Sequence, residues 1–225
     1  WVRLREAQQT EMEYQLRNWY YFNWLCGDHI VEQHIHNLDV INWIMNGYPV
    51  EAQGQGGCEV RKGKEYGEIF DHHFVEFTYG SGAVMLSQCR HIEGCWNAVS
   101  EHVHGTNGYA DVSGAKIYTP KGKLIYSYGK GGRDGHQQEH HDLFAKIRAG
   151  ERPNEGEWGA LSSMTAIFGR MATYSGQKLS WQEALNSEVV ISPVEKFKGM
   201  DDVPPVQPDK DGFYRLPVPG QTKVV

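Results

Sequence analysis

The 225 residues carry a formal net charge of −6, with 40% hydrophobic and 22% charged side chains. Those values are ordinary for a soluble globular protein that buries a real core. The absence of a Lys/Arg cluster argues against nucleic acid as a partner, and no apolar run approaches the roughly 18 residues that span a bilayer. No signal-peptide pattern is present. The chain opens at Trp1 rather than Met, so it is read as a piece of a longer protein, with no compartment assigned. Cys26, Cys58, Cys89 and Cys95 form no C-x-x-C pair and are read as reduced thiols. A Cys89–Cys95 bridge across a turn is the less favoured alternative.

In chain order, the aromatic stretch 12–24 reads as a strand by composition. Asp28, after Gly27, reads as the N-cap of a helix that runs to about Asn46. Asn46-Gly47 stops that helix, and Pro49 follows. From Pro49 to about Tyr128 the period becomes two. VEAQGQGG, IFDHHFVEFTY, AVMLSQCR, AVSEHVHGT, YADVSGAKIYT and KLIYSY read as successive strands separated by Gly and Pro. With no helix between them for parallel crossovers, an antiparallel meander is expected. Its best-defined hairpin joins Phe70–Tyr79 to Ala83–Cys89. Helical period returns in HQQEHHDLFAKIRAG and EGEWGALSSMTAIFGRMATYSG, and a short helix capped by Ser180 begins near Trp181. The expected fold class is α+β: an open, mostly antiparallel β-sheet with helices packed on one face. It occupies residues 1–190, and a Pro-rich tail over 191–225 packs on that domain or on a partner subunit. The bare sheet face calls for a cover, and a second copy of the chain is the expected one.

The stretch GDHIVEQHIHNLDVINW concentrates the chemistry. On a helical wheel at about 100° per residue, Asp28, His29, Glu32, His36 and Asp39 fall within one sector of roughly 100°, and His34 falls outside it. Three readings stand: a solvated face, a metal site, or an acid–base pair. The solvated reading fits poorly with imidazoles in place of Lys and Arg. H-x-x-E-x-x-x-H is not zincin spacing, and no metal is assigned, although His29, Glu32 and His36 would be the ligands of a metal-dependent lyase or isomerase. In the third reading a carboxylate at i and a His at i+4 lie one turn apart, so the acid can orient the base.

Glu32-x-x-x-His36-x-x-Asp39 after Gly27 resembles the D-x-x-x-H-x-x-D helix of the glucose–fructose oxidoreductase/inositol dehydrogenase/rhizopine catabolism (Gfo/Idh/MocA) family. The resemblance extends over about residues 10 to 186, through the strands and the two late helices. It implies the C-terminal substrate domain of an NAD(P)-dependent oxidoreductase acting on a sugar or cyclitol. It also implies NAD or NADP as cofactor, bound by a Rossmann domain that this chain lacks, so the chain alone is expected to be inactive. His36 becomes the acid/base beside the reacting hydroxyl or carbonyl. Glu32 replaces the family's usual Asp, one methylene longer, and Asp39 is support. Some relatives use held NAD to cleave glycosides, which is the alternative outcome. From another class altogether, a non-catalytic binding or oligomerisation module is the competing reading.

Further candidates for substrate contact are Tyr20, Tyr21 and Trp24, which could stack on a sugar ring, and Arg90 and His91 at a strand end. His104 on a strand and His140 near a helix start complete the set. Asp71-His72-His73 sends its two histidines to opposite faces, so at most one can join any site. Gly129–Gly135 imitates a phosphate loop, but Asp134 stands where the third glycine belongs; it reads as a sheet-to-helix connection.

Overall fold

The computed structural model describes residues 2–129 and 134–225. It forms two compact units, Trp1–Cys95 with Leu161–Val225, and Trp96–Ala160. In the first unit the helices are α1 (Glu11–Arg17), α2 (Asn23–Cys26), α3 (His29–Glu32) and α4 (Ile35–Met45), with a 3-10 turn over Trp19–Tyr21. The strands β1 (Pro49–Gly57), β2 (His72–Tyr79) and β3 (Val84–Arg90) follow. The second unit contains β4 (His102–Gly105), β5 (Gly108–Asp111), β6 (Lys116–Tyr118), β7 (Leu124–Ser127) and α5 (Gly135–Arg148). The helix α6 (Gly156–Ser175) begins there and enters the first unit, which ends with β8 (Leu179–Ser180), α7 (Trp181–Leu185) and the tail. The fold class is α+β, with two antiparallel sheets ordered β3-β2-β1-β8 and β4-β5-β6-β7. Among the described residues no helix is long and apolar enough to cross a membrane.

The strand period places the core. Along β2, His73, Val75, Phe77 and Tyr79 are buried, whereas Phe74, Glu76 and Thr78 face the other side. Val75, Phe77 and Tyr79 pack with Ile30 of α3, Leu38 of α4 and Ala166, Phe168 and Met171 of α6. On β1 the inward positions are Ala52, Gly54 and Gly56. A Cβ at Gly54 would stand 3.0 Å from the Thr173 methyl, so the missing side chain lets α6 lie close to the sheet. Asn42 of α4 ties the layers by donating to Thr165 Oγ1 at 3.0 Å and accepting from the Tyr79 hydroxyl at 2.7 Å. The opposite face leaves Val50, Phe74, Val84 and Leu86 exposed.

Two local expectations are corrected. Residues 12–24 are helical, not a strand. Thr10 and Glu13 form a reciprocal capping box that starts α1, and Tyr20, Tyr21 and Phe22 are buried consecutively rather than alternately. These aromatics make a second core with Met12, Tyr14, Trp24, Ile69 and Tyr214. The tail joins it: the Tyr214 ring meets Phe22 edge-on at 4.9 Å, and its hydroxyl donates to Glu11 at 2.5 Å. The helix expected over residues 28 to 46 is broken between α3 and α4. Its turn widens where the His34 N–H reaches back five residues to the His29 carbonyl at 3.1 Å, then tightens where the His36 N–H reaches the Gln33 carbonyl at 3.3 Å. The end at Asn46 stands as expected, with Asn46 left-handed at φ 51°. Ser180 caps α7 through a second capping box, and all four cysteines are free.

Glu68 links the second core to α2. Its Oε1 accepts the Asn23 N–H at 2.9 Å, while its Oε2 is buried without a partner. Burial pushes this carboxyl up to about 7. Between roughly pH 4.5 and 7 the folded state holds the proton that the unfolded chain releases. Its contribution is therefore complete at lower pH and is lost as pH rises through 7. Glu68→Gln should raise stability at pH 8 by about 1–3 kcal/mol and leave it little changed at pH 4.5. Urea unfolding at the two pH values checks this.

Candidate active site

Asp28 is fully buried and holds φ 76°, ψ 161°, a region that is essentially glycine-only and costs on the order of 1–3 kcal/mol. Its carboxylate explains why the conformation persists. Oδ1 accepts the His29 N–H at 2.5 Å and lies 2.9 Å from His29 Nδ1 and 3.2 Å from His73 Nε2. Oδ2 accepts the Phe70 N–H at 2.9 Å and the Tyr174 hydroxyl at 2.6 Å. Burial raises the Asp28 carboxyl, but the facing His73 and His29 more than offset it and hold it well below the carboxylate range. Burial likewise opposes charge on His29, yet the Asp28 carboxylate and the nearby Cys89 bring its pKa up to about 10. Asp28 is thus the expected N-cap and also the centre of a buried network joining α3, β2 and α6.

A half-exposed layer lies against this network. The Tyr20 hydroxyl donates to Gln33 Oε1 at 2.8 Å. With its proton committed there, the 3.2 Å contact to His91 Nδ1 requires Nδ1 to be the donor. His91 Nε2 is then left as an acceptor. The His91 ring stacks between Tyr20, at 5.8 Å between centroids, and His29, at 4.9 Å. Burial, with the His29 charge behind it, lowers His91 to about 4, so its neutral tautomer persists through physiological pH. Glu32 closes the layer with a buried Oε2 that has no partner, and its charge adds to the burial that raises the Tyr20 phenol.

The fold brings together part of the expected set. His29, Glu32 and His91 lie in this neighbourhood. His36 lies in the first turn of α4 and is exposed. The widened turn lies between Glu32 and His36, and among the described residues no hydrogen bond joins them. Asp39 accepts the Ser162 hydroxyl, in keeping with a supporting role. Tyr21 and Trp24 are buried in the second core, Trp24 donating to Gln15 Oε1 at 2.7 Å. Arg90 is exposed at the end of β3. His104, stacked on Tyr109 at 5.6 Å, and His140, whose Nδ1 lies 2.7 Å from the His136 carbonyl, belong to the other unit.

Residues 130–133 of the glycine-rich loop lie outside the described residues. His34, set aside on the wheel, reaches Ser87 Oγ at 2.8 Å because the helix break re-phases it. Gln33, His73 and Tyr174 were not singled out as site residues, whereas Tyr20, expected among the stacking aromatics, sits at the edge of this layer. Only His73 had a signal, the alternation in Asp71-His72-His73. The metal set drawn from the helix, His29, Glu32 and His36, is also corrected. Among the described residues the group whose ligand atoms gather within 4.8 Å is Asp28, His29 and His73.

No curated protein matches the sequence. Among solved structures, aldose-aldose oxidoreductase from Caulobacter crescentus, complexed with glycerol, aligns at TM-score 0.57 and 15% identity, over 79% of this chain and 52% of that one. Levoglucosan dehydrogenase in complex with NADH and levoglucosan aligns at TM-score 0.55 and 13% identity, over 72% and 53%. At such identities the likeness is one of fold, and the chain spans about half the length of these relatives. The model of the oxidoreductase family's C-terminal alpha/beta domain matches residues 1–167. The chain belongs to the Gfo/Idh/MocA oxidoreductase family, as its C-terminal domain.

Proposed function

We propose that this chain is the substrate-binding, acid/base half of an NAD(P)-dependent oxidoreductase acting on a sugar, a cyclitol or a derivative of one. The observation that carries the reading is Glu32, whose buried Oε2 lacks a partner and whose charge reaches Tyr20 of the His91 layer, four residues before the exposed His36. An unpaired buried carboxylate oxygen is costly unless something binds it, and a polyhydroxylated substrate offers O–H donors. Glu32 and His91 Nε2 would accept substrate hydroxyls, and His36 would take the proton of the hydroxyl being oxidised. A bound nicotinamide would supply the acceptor for the hydride of the carbinol carbon. No residue of this chain is assigned to holding it, and the greater length of the solved relatives leaves room for a domain that does. NADH in the levoglucosan dehydrogenase structure supports a nicotinamide cofactor.

The exposed face bearing Val50, Phe74, Val84 and Leu86 goes in this reading to a second copy of the chain. A charge there should break it: Leu86→Asp is expected to shift the species seen by size-exclusion light scattering from dimer or larger to monomer. A parent that is itself monomeric refutes the assignment.

In the intact protein, assayed with NAD or NADP on a panel of sugars, cyclitols and glycosides, His36→Ala should lower kcat by about a hundred- to ten-thousand-fold. An unchanged kcat overturns its role, and product analysis separates oxidation from glycoside cleavage. His91→Phe removes an acceptor without removing the base. It should raise KM by about tenfold, with a smaller effect on kcat.

A further inference from the structure

A buried polar cluster, Asp28, His29 and His73, lies behind the proposed catalytic layer. Three separations within it are informative. Asp28 Oδ1 is 2.9 Å from His29 Nδ1 and 3.2 Å from His73 Nε2, and the Phe70 carbonyl oxygen is 3.2 Å from the same His29 Nδ1. Ligand atoms that share a metal at about 2.1 Å stand about 3.0 Å apart at right angles and about 3.4 Å apart at the tetrahedral angle. The three separations match that spacing.

The hydrogen-bond chain behind His73 sharpens the point. Its Nδ1 lies 2.9 Å from Thr173 Oγ1, and the Thr173 hydroxyl donates to the Arg170 carbonyl at 2.9 Å. With that proton committed, His73 Nδ1 carries the ring hydrogen and Nε2 presents a lone pair. This Nε2 makes no hydrogen bond although Asp28 Oδ1 is 3.2 Å away and the side chain is fully buried. Nε2 and Asp28 Oδ1 thus face each other at 3.2 Å without a hydrogen bond between them, a spacing that a shared cation would bridge. The outer partners are those expected around metal ligands: Thr173 orients His73, while the Phe70 N–H and the Tyr174 hydroxyl fix Asp28 through its other oxygen.

We propose that Asp28, His29 and His73, completed by the Phe70 carbonyl, bind a divalent transition-metal ion of the zinc class. Two imidazoles and two oxygens suit zinc, cobalt or nickel and disfavour magnesium or calcium. Every ligand side chain is buried, so the ion is structural and fastens the start of α3 to β2. The proposal is independent of the roles given to His36 and Glu32.

The test uses the intact protein, stripped with a chelator and titrated with zinc chloride alone, with magnesium chloride as control. One equivalent of zinc per chain and a higher Tm are expected, magnesium producing neither. Cobalt chloride should give the visible d–d absorption of a nitrogen-ligated site. His73→Gln should weaken zinc binding by about a hundredfold or more, while His72→Ala, on the opposite face of β2, should leave it unchanged. Should His73→Gln fail to fold, Thr173→Val is expected to weaken binding by about 10–100-fold. No stoichiometric zinc and no Tm shift overturn the proposal, and so does zinc bound to His73→Gln or Thr173→Val as tightly as to the unaltered protein.

Discussion

The buried carboxylate of Asp28 is the constraint on which the first unit is arranged. Removing an ion from water costs several kcal/mol even after relaxation, so Asp28 can exist only where its neighbours replace that water completely. They come from separate parts of the chain: His29 from α3, the Phe70 N–H just before β2, His73 from within β2, and Tyr174 near the end of α6. Losing one of these contacts would leave a charge partly unsatisfied in a dry interior. The carboxylate therefore fixes where α3 starts, how β2 lies beneath it and how deeply α6 sits. The same network holds Asp28 in a backbone conformation that a side-chain-bearing residue avoids.

That anchorage has a cost one turn later. With His29 held against the Phe70 carbonyl, α3 cannot continue straight into α4 while Leu38 and Asn42 also meet the core. The widened turn at His34 absorbs the mismatch. It turns His34 toward Ser87 of the sheet and leaves His36 on the outer side. Six ionisable residues that look equivalent in a short stretch of sequence are thereby sorted by depth. Asp28 and His29 work in the interior, Glu32 is intermediate, and His36 is available to solvent or to whatever covers it.

What was legible in the sequence follows from how local each signal is. The β2–β3 hairpin is written in alternation and a Gly80-Ser81-Gly82 turn. The stops at Asn46, Gly150 and Gly176 are written in residues that tolerate positive φ, and the Ser180 cap needs only Glu183 three residues on. Segment 12–24 misled because aromatic content reports burial, not strand geometry, and the Thr10–Glu13 box that makes it helical is a weaker compositional signal. The helical wheel misled because it assumes one phase from 28 to 45, whereas the break depends on contacts with Phe70 and Ser87, more than forty residues away. For the same reason His73 and Tyr174 could not be joined to Asp28 beforehand. Their alternation and helical phase indicate inward positions, but not which buried group they meet.

His91 shows how the interior cluster and the outer layer are coupled. Its ring stacks on His29 on one side and Tyr20 on the other, so the positive charge paired with Asp28, whether a proton on His29 or a metal ion, acts on it directly. That charge disfavours a second one on His91, and burial works in the same direction. The imidazole therefore stays neutral, and the Tyr20–Gln33 chain decides which nitrogen keeps the hydrogen. A group that must accept a hydrogen bond at neutral pH needs both a fixed tautomer and a low pKa. Burial supplies most of the second requirement and the charge beneath adds to it, and the aromatic segment that sequence composition assigned to a strand supplies the first.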